Sequence, residues 1–394
     1  MTKKRPRYTR SSICLAALLA SAPAFAINGI QMGGYGVKNS GMGGASIALP
    51  LDAEAAANNP AGLSFLPASY SLELLVFNGE STADYPAPGN RLQNKTTITI
   101  PSGGVIWKYS DQVTFGLSVA AQGTGADYQQ ALLPVPGAAQ GKSSLKVVEV
   151  IPTLAWKPTP EWSLGASLNI AHSTLDVSGV IVPAPVPGGL LPLPTHGSRS
   201  ATGTGIRLGA LWQTTPDLNL GVNYKSRTRM GEFSGYKDDL LAYSDGRLDL
   251  PEQYGVGVAW NVSKNVTVAA DWLRIQYGDL KVMQDPNGFG WRDQAVFRLG
   301  ASWAVDPNWT LRIGTSKSRS PINTSRVAQN VLTPSLFDRT FTFGGSWRAN
   351  KNSEFNAALE INPRRSVTGT GASTGANLSA KAYVLMLGYQ HAFD

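Results

Sequence analysis

The chain has 394 residues, of which 15% are charged, with 42 glycines, ten tryptophans and a single cysteine. Length alone would suit two or three soluble domains, yet amphipathic helical periodicity is lacking and no apolar run after residue 26 reaches the ~20 residues of a membrane helix. The formal charge is +8, but the first 26 residues hold 5 of the 34 basic side chains and none of the 26 acidic ones. Without them 29 basic residues stand against 26 acidic, a net charge of +3 that gives no argument for a nucleic-acid partner.

Residues 1–26 read as a secretory signal peptide. Lys3, Lys4, Arg5, Arg7 and Arg10 precede an apolar run from Ile13 to Ala20, and Ala24-Phe25-Ala26 supplies the cleavage site. The run is too short for an anchor that spans a bilayer. Cys14 lies inside it without a lipobox, so the mature chain, beginning at Ile27, is expected to have no thiol and no disulfide.

Residues 27–67 are glycine-rich, almost uncharged and poor in large apolar side chains, ending in Asn59-Pro60-Ala61-Gly62. Such a segment cannot build a core, and its glycines raise the entropy cost of ordering it. It is read as a plug that needs walls.

Residues 68–394 supply candidate walls. In 294–303, Ala295, Phe297, Leu299, Ala301 and Trp303 fall on one face and Val296, Arg298, Gly300 and Ser302 on the other. This period of two marks a strand with one apolar face and one more polar. It recurs in 162–170, 218–225 and 309–314. Fourteen segments of this kind can be counted, near 68–78, 95–108, 112–124, 145–157, 161–175, 202–213, 217–230, 251–261, 265–277, 293–304, 308–318, 337–349, 352–362 and 378–393. Links after even-numbered strands are tight turns, such as Ser110-Asp111 and Ala349-Asn350-Lys351, while most links after odd-numbered strands are much longer. Strict alternation of this sort, with an even strand count, predicts an outer-membrane barrel with short periplasmic turns. Trp107, Trp156, Trp162, Trp212, Trp260, Trp303, Trp309 and Trp347 all lie beside the short turns, as an interfacial girdle requires. The fold class is therefore all-β: a transmembrane antiparallel barrel of 14 strands with an N-terminal plug, in the bacterial outer membrane.

Ile27-Asn28-Gly29, the glycine-rich run, Asp52 and Asn59-Pro60-Ala61-Gly62 resemble the N-terminal hatch of the FadL/TodX family of outer-membrane transport proteins. Leu250-Pro251-Glu252, the run Asn308-Trp309-Thr310-Leu311-Arg312-Ile313-Gly314, and Lys381-Ala382-Tyr383 with Ala392-Phe393 extend the resemblance over the mature chain. One departure is Asp394, which follows the terminal aromatic read by the barrel assembly machinery. The resemblance implies uptake of a hydrophobic small molecule, a long-chain fatty acid or an aromatic hydrocarbon. Its steps would be capture by extracellular loops, passage beside the hatch and lateral release into outer-membrane lipid at an inward kink of the third strand.

Candidate parts can be named for each step. Asn59, Pro60 and Ala61 would anchor the hatch. The apolar loop 180–194, with Val180, Ile181, Val182, Leu190, Leu191 and Leu193, would capture substrate against Leu240 and Leu241 and against 131–135. Its prolines argue against a strand or helix there. Ala120, Gly123 and Gly125 weaken the third strand where a lateral opening would lie, and Pro101 interrupts its neighbour. Arg207, Arg298 and Arg312, on polar faces, would join a structural network or hold a ligand carboxylate. Three histidines at no metal-ligand spacing, and the lack of a nucleophile elbow or phosphate loop, support neither an enzyme nor a cofactor. A polar-solute porin, an adhesin and an outer-membrane lipase are the rival readings.

Overall fold

Fourteen strands form where the alternation was found, in a computed structural model that describes residues 28–85, 89–183 and 189–394. The expected signal peptide 1–26 and Ile27 lie outside those residues. The strands are β1 (Ser69–Asp84), β2 (Arg91–Lys108), β3 (Val113–Ala131), β4 (Gln140–Trp156), β5 (Trp162–Ser178), β6 (Arg199–Thr215), β7 (Leu218–Lys225), β8 (Gln253–Ser263), β9 (Val266–Ile275), β10 (Gln294–Ala304), β11 (Trp309–Lys317), β12 (Arg339–Arg348), β13 (Ser353–Thr368) and β14 (Asn377–Ala392). Each pairs antiparallel with its neighbours in sequence, and β1 pairs with β14, so the ring closes. Several strands outrun the segments read from sequence at the long-loop end, β3 by reaching Ala131 and β13 by reaching Thr368. There they rise above the apolar band, and the alternation that marks them fades.

Outward positions carry the apolar belt. Leu299, Leu311, Phe343, Leu359 and Leu385 are exposed, as lipid-facing side chains of a barrel must be. The eight tryptophans next to the short turns are 38–52% exposed, and Trp162 stacks on Trp212 across β5 and β6 with ring centroids 5.0 Å apart. They form the periplasmic girdle.

Inward faces are less uniform than the sequence suggests. In β1, β2 and β14 the inward positions toward the loops are apolar, including Phe77, Ile98, Ile100, Val384 and Met386. They pack against side chains from loops 226–252, 276–293 and 318–338, which fold over and into the ring: Phe233, Tyr277, Trp291, Val331 and Leu336 are all buried in one cluster. The half of the lumen nearer the long loops thus holds an extended apolar cluster.

One seam of the wall is incomplete. The ladder between β2 and β3 runs only from Lys108↔Thr114 to Gly103↔Val119. Beyond it, β2 stays paired with β1 up to Arg91, and β3 stays paired with β4 up to Gln140, yet β2 and β3 no longer pair with each other. From Gln122 to Ala126 every residue of β3 is buried, so alternation fails because the strand has left the wall and turned inward. The Gly123 amide donates to Ile30 O at 3.1 Å. Higher up, the Tyr128 hydroxyl donates to Val331 O at 2.6 Å in loop 318–338, and Thr124 Oγ1 meets Ser335 Oγ at 2.9 Å.

Residues 28–66 run inside the ring and are almost all buried. Only short helical turns form: α1 (Val37–Ser40), α2 (Ala55–Asn58) and a 3-10 turn at Pro60–Phe65. The segment approaches the wall backbone to backbone, and paired wall glycines make the approach possible. Gly165 faces Gly209, Gly221 faces Gly257, and Gly300 faces Gly314 across adjacent strands. A Cβ at Gly300 or Gly314 would meet the backbone of Met42 or Gly43, and one at Gly221 would meet Ile47 O. Substituting Gly314 with Val is therefore expected to overpack this contact by about 1–3 kcal/mol. In hydrogen-exchange mass spectrometry, amides 41–47 should exchange roughly ten- to a hundredfold faster while the strands keep their protection.

Candidate functional site

A buried chain without its own ladder must find partners for its peptide groups. The wall provides them from inward positions of many strands. Both carboxylate oxygens of Glu73 on β1 accept from the Val37 amide, at 3.1 and 2.9 Å. On β9, Asp271 Oδ2 accepts from the amides of Ser46 and Ile47 at 2.8 and 3.2 Å. Thr342 on β12 accepts from Gly43 N at 2.9 Å and donates to Gly41 O at 3.0 Å. Tyr277, just past β9, donates to Asn28 O at 2.6 Å and accepts from Ile30 N at 3.0 Å.

Asn59-Pro60-Ala61 sits where this segment meets β5 and β6. Asn59 Oδ1 caps the 3-10 turn by accepting from Ala61 N at 3.1 Å, an arrangement worth about 1 kcal/mol. Its Nδ2 donates to Ile47 O at 2.7 Å and to Ala210 O of β6 at 3.3 Å. Ser163 Oγ of β5 donates to Ala61 O at 2.8 Å. Asn59 and Ala61 thus each bond to the wall, on either side of Pro60.

The three arginines singled out from the sequence are occupied. Arg207 Nη1 donates to Ala57 O at 2.6 Å, and Arg207 Nη2 pairs with Glu149 at 2.5 Å. Lys225 holds the other oxygen of Glu149 at 2.6 Å. This triad is fully buried, and removing one member would strand the others at a cost of roughly 3–5 kcal/mol. Arg298 Nη1 donates to Gly44 O at 3.2 Å, and Arg312 Nη1 to Ser346 Oγ at 2.6 Å. All three serve the N-terminal segment or the wall.

Sequence reasoning missed Glu73, Asp271, Glu149 and Tyr277. The acids were detectable: each sits at inward parity in a strand whose outward residues are lipid-like, and an unsolvated acid there needs a partner. Tyr277 gave no signal.

The long loops meet above this layer. His196 Nε2 lies 2.6 Å from Asp239 Oδ2, and the Tyr236 hydroxyl donates to Gly197 O at 3.0 Å, so loops 179–198 and 226–252 are in contact. Within 180–194 the structure corrects one expectation. Ile181–Pro183 pairs with Leu190–Pro192 as a small antiparallel ribbon. Pro183 and Pro192 are tolerated because a two-stranded ribbon leaves one side of each strand unpaired, where a missing amide costs nothing. Residues 184–188 lie outside the described residues. Ile181 is buried, while Leu190 and Leu191 are exposed by 47% and 50%. Leu241 is buried, and Leu240, Val180, Leu133 and Val135 pack partly against the same cluster.

A small cavity of about 10 Å³, room for one water, lies beside the N-terminal segment. Met32, Leu75, Ile100, Ala121 and Met386 give it an apolar lining, and Tyr35, Glu54, Glu73 and Ser102 a polar one. Ser102 and Ala121 stand just beyond the last β2–β3 pair, so the cavity abuts the open seam. Ala120 lies at that same point, and Gly123 and Gly125 lie in the inward-turned part of β3.

This architecture matches a known group over nearly its whole length. The profile of the outer membrane protein transport proteins (OMPP1/FadL/TodX) matches residues 13–393. The chain belongs to that family. It is an outer-membrane β-barrel of a transport family, and among solved structures the toluene transporter TodX of P. putida superposes with a TM-score of 0.71 at 21% identity. That match covers 92% of this chain and 99% of TodX. The Ralstonia pickettii toluene transporter TbuX gives 0.67 at 19% identity over 92% and 99% of the two chains. A FadL homologue from Pseudomonas aeruginosa gives 0.69 at 17% over 95% and 100%. In sequence, 56 residues are 43% identical to an uncharacterized protein from the 5' region of a phosphoenolpyruvate carboxykinase gene of Chlorobium limicola. They span 14% of this chain and 28% of that protein.

Two acids of the N-terminal segment carry a pH dependence. Burial pushes Asp52 up to about 6 and Glu54 to about 7, and for Glu54 the neighbouring Asp52 adds to the effect. Lys38 and Arg312 oppose the shift at Asp52, whereas Glu354 reinforces it, and Glu73 lies against Glu54. The seated segment therefore binds these protons more tightly than a released one, whose acids titrate near 3.8 and 4.5. Seating is strongest in acid, weakens as pH rises from the free values of 3.8 and 4.5 through the seated values of about 6 and about 7, and is level above that window. Single-channel recordings should show more frequent openings above that range than below it, and Glu54→Gln should flatten the dependence.

Proposed function

We propose that this protein conducts hydrophobic small molecules across the outer membrane, from loops 179–198 and 226–252, past a plug formed by residues 27–67, and out sideways between β2 and β3. The observation that carries the reading is the β2–β3 ladder, which ends at Gly103↔Val119 next to a small, partly apolar cavity beside the N-terminal segment. A polar-solute porin needs a wet, axial lumen, whereas here a large apolar cluster of wall and loop side chains occupies the loop side. An opening in the wall lets an apolar solute pass into lipid without crossing periplasmic water, which would cost about 0.8 kcal/mol per methylene exposed. The structural relatives include two toluene transporters and a FadL homologue. Both an aromatic hydrocarbon and a long-chain fatty acid suit an apolar route; Arg207, Arg298 and Arg312 each bond the N-terminal segment or the wall.

Closing the seam tests the reading. Ser102→Cys with Ala120→Cys places thiols at the next register step above the last β2–β3 pair, in a mature chain otherwise free of cysteine. Once the crosslink is verified by mass, uptake of toluene or of a long-chain fatty acid should drop at least about tenfold and return on reduction. Uptake by the crosslinked protein at the uncrosslinked rate rejects lateral exit.

Loop capture rests on Leu190 and Leu191, which stand exposed on the ribbon beside the loop contact. Replacing both with serine should weaken uptake several-fold at low substrate concentration and be overcome at high concentration, since burial of several methylenes on this surface is lost. Barrel assembly, read by heat-modifiable migration, should be unaffected.

A further inference from the structure

The apolar belt does not end evenly around the barrel. On β11, β12 and β14 the residue eight positions from the periplasmic girdle is a cation: Lys317 counted from Trp309, Arg339 from Trp347, and Lys381 from Tyr389. On the opposite wall the same count leads to Val148 on β4, Ile170 on β5 and Thr204 on β6. Eight residues extend about 27 Å along a strand and roughly 20 Å along the normal after tilt, close to the height of the lipid-facing band. The cations therefore stand where hydrocarbon gives way to headgroups.

Strand register aligns them into one row. Lys317 lies directly across from Arg339. The bulge between Asn362 and Arg365 sets Arg364 over Lys381, which pairs with Glu80, which pairs with Lys95 on β2. Glu80 contacts Lys381 at 3.0 Å, Arg364 at 3.3 Å and Lys95 at 4.0 Å. Three of the five cations in the row thus share one acid. Lys317 and Arg339 make no side-chain hydrogen bond or ion pair among the described residues, although like charges directly opposite each other on a sheet are destabilising. Below the row, Phe341 and Phe343 on β12, Ile361 and Leu359 on β13, and Tyr383 and Leu385 on β14 form a continuous apolar face.

We propose that this outward face of β11–β14, β1 and β2 binds an outer-leaflet lipid whose headgroup carries clustered phosphates. Its acyl chains lie on the aromatic face and its phosphates bridge the row. Guanidinium and ammonium groups spaced at the ~4.8 Å interval between strands can reach several phosphates of one headgroup, and Arg offers forked donors to each. The missing counter-charge of Lys317 and Arg339 is then the lipid's.

The assembled protein in neutral detergent, titrated with diphosphoryl lipid A and followed by native mass spectrometry, tests this. Wild type should bind the diphosphoryl lipid well above its dephosphorylated form and above phosphatidylcholine. Lys317→Gln with Arg339→Gln should weaken binding roughly thirtyfold, while Lys317→Arg with Arg339→Lys should retain it. Equal binding of phosphorylated and dephosphorylated lipid by wild type overturns the proposal. So does undiminished binding by the glutamine variant, provided that it migrates as a folded barrel.

Discussion

Everything inside this barrel depends on one requirement: a polypeptide held in a closed lumen must have its peptide groups bonded. Residues 28–66 form neither a long helix nor a ladder, so the solution lies in the wall. Carboxylates, hydroxyls and amides stand at inward positions at heights that match the segment's amides and carbonyls. Elsewhere paired glycines remove the Cβ that would hold the two backbones apart. The wall's sequence is fixed from two sides, lipid outside and peptide inside.

That double constraint explains the division of the lumen. Beside the N-terminal segment the inward face is polar and glycine-rich; toward the long loops it is apolar and meets the infolded residues of 276–293 and 318–338. In the first zone buried charges are paired within the protein: Glu149 is shared between Arg207 and Lys225, and Arg207 in turn holds Ala57 O.

The barrel itself was readable because each strand alternates under a bilayer on one side, and tryptophans fall at the turns where interfaces require them. Strand ends at the loop side were less readable, since outside the bilayer nothing forces outward positions to be apolar; β3 and β13 are the cases. Small residues at Ala120, Gly123 and Gly125 pointed to a weak place in β3, but the end of its pairing with β2 depends on Ile30, Val331 and Ser335, which are remote in sequence. The roles of Arg207, Arg298 and Arg312 stayed open for a similar reason. A cation on an inward face must have a partner, but alternation does not say whether that partner is a ligand, the wall or the chain within. The ribbon at Ile181–Pro183 and Leu190–Pro192 was missed because proline was weighed as if the strands had neighbours on both sides.

The inward turn of β3 has a bearing on solubility and assembly. Interrupting a sheet normally creates two edges with unpaired amides, and such edges recruit other chains. In this barrel one of those edges is drawn inward: beyond Val119 the Gly123 amide bonds residue 30, while the Asp127 amide bonds the Asn94 side chain of β2 and the other side of β3 stays paired with β4. The free margin of β2 is left without a flat partner edge beside it, and Pro101 lies close to where that margin begins. A breach that would invite strand exchange between neighbouring barrels is thus sealed against it by curvature, and the wall can stay open without becoming adhesive.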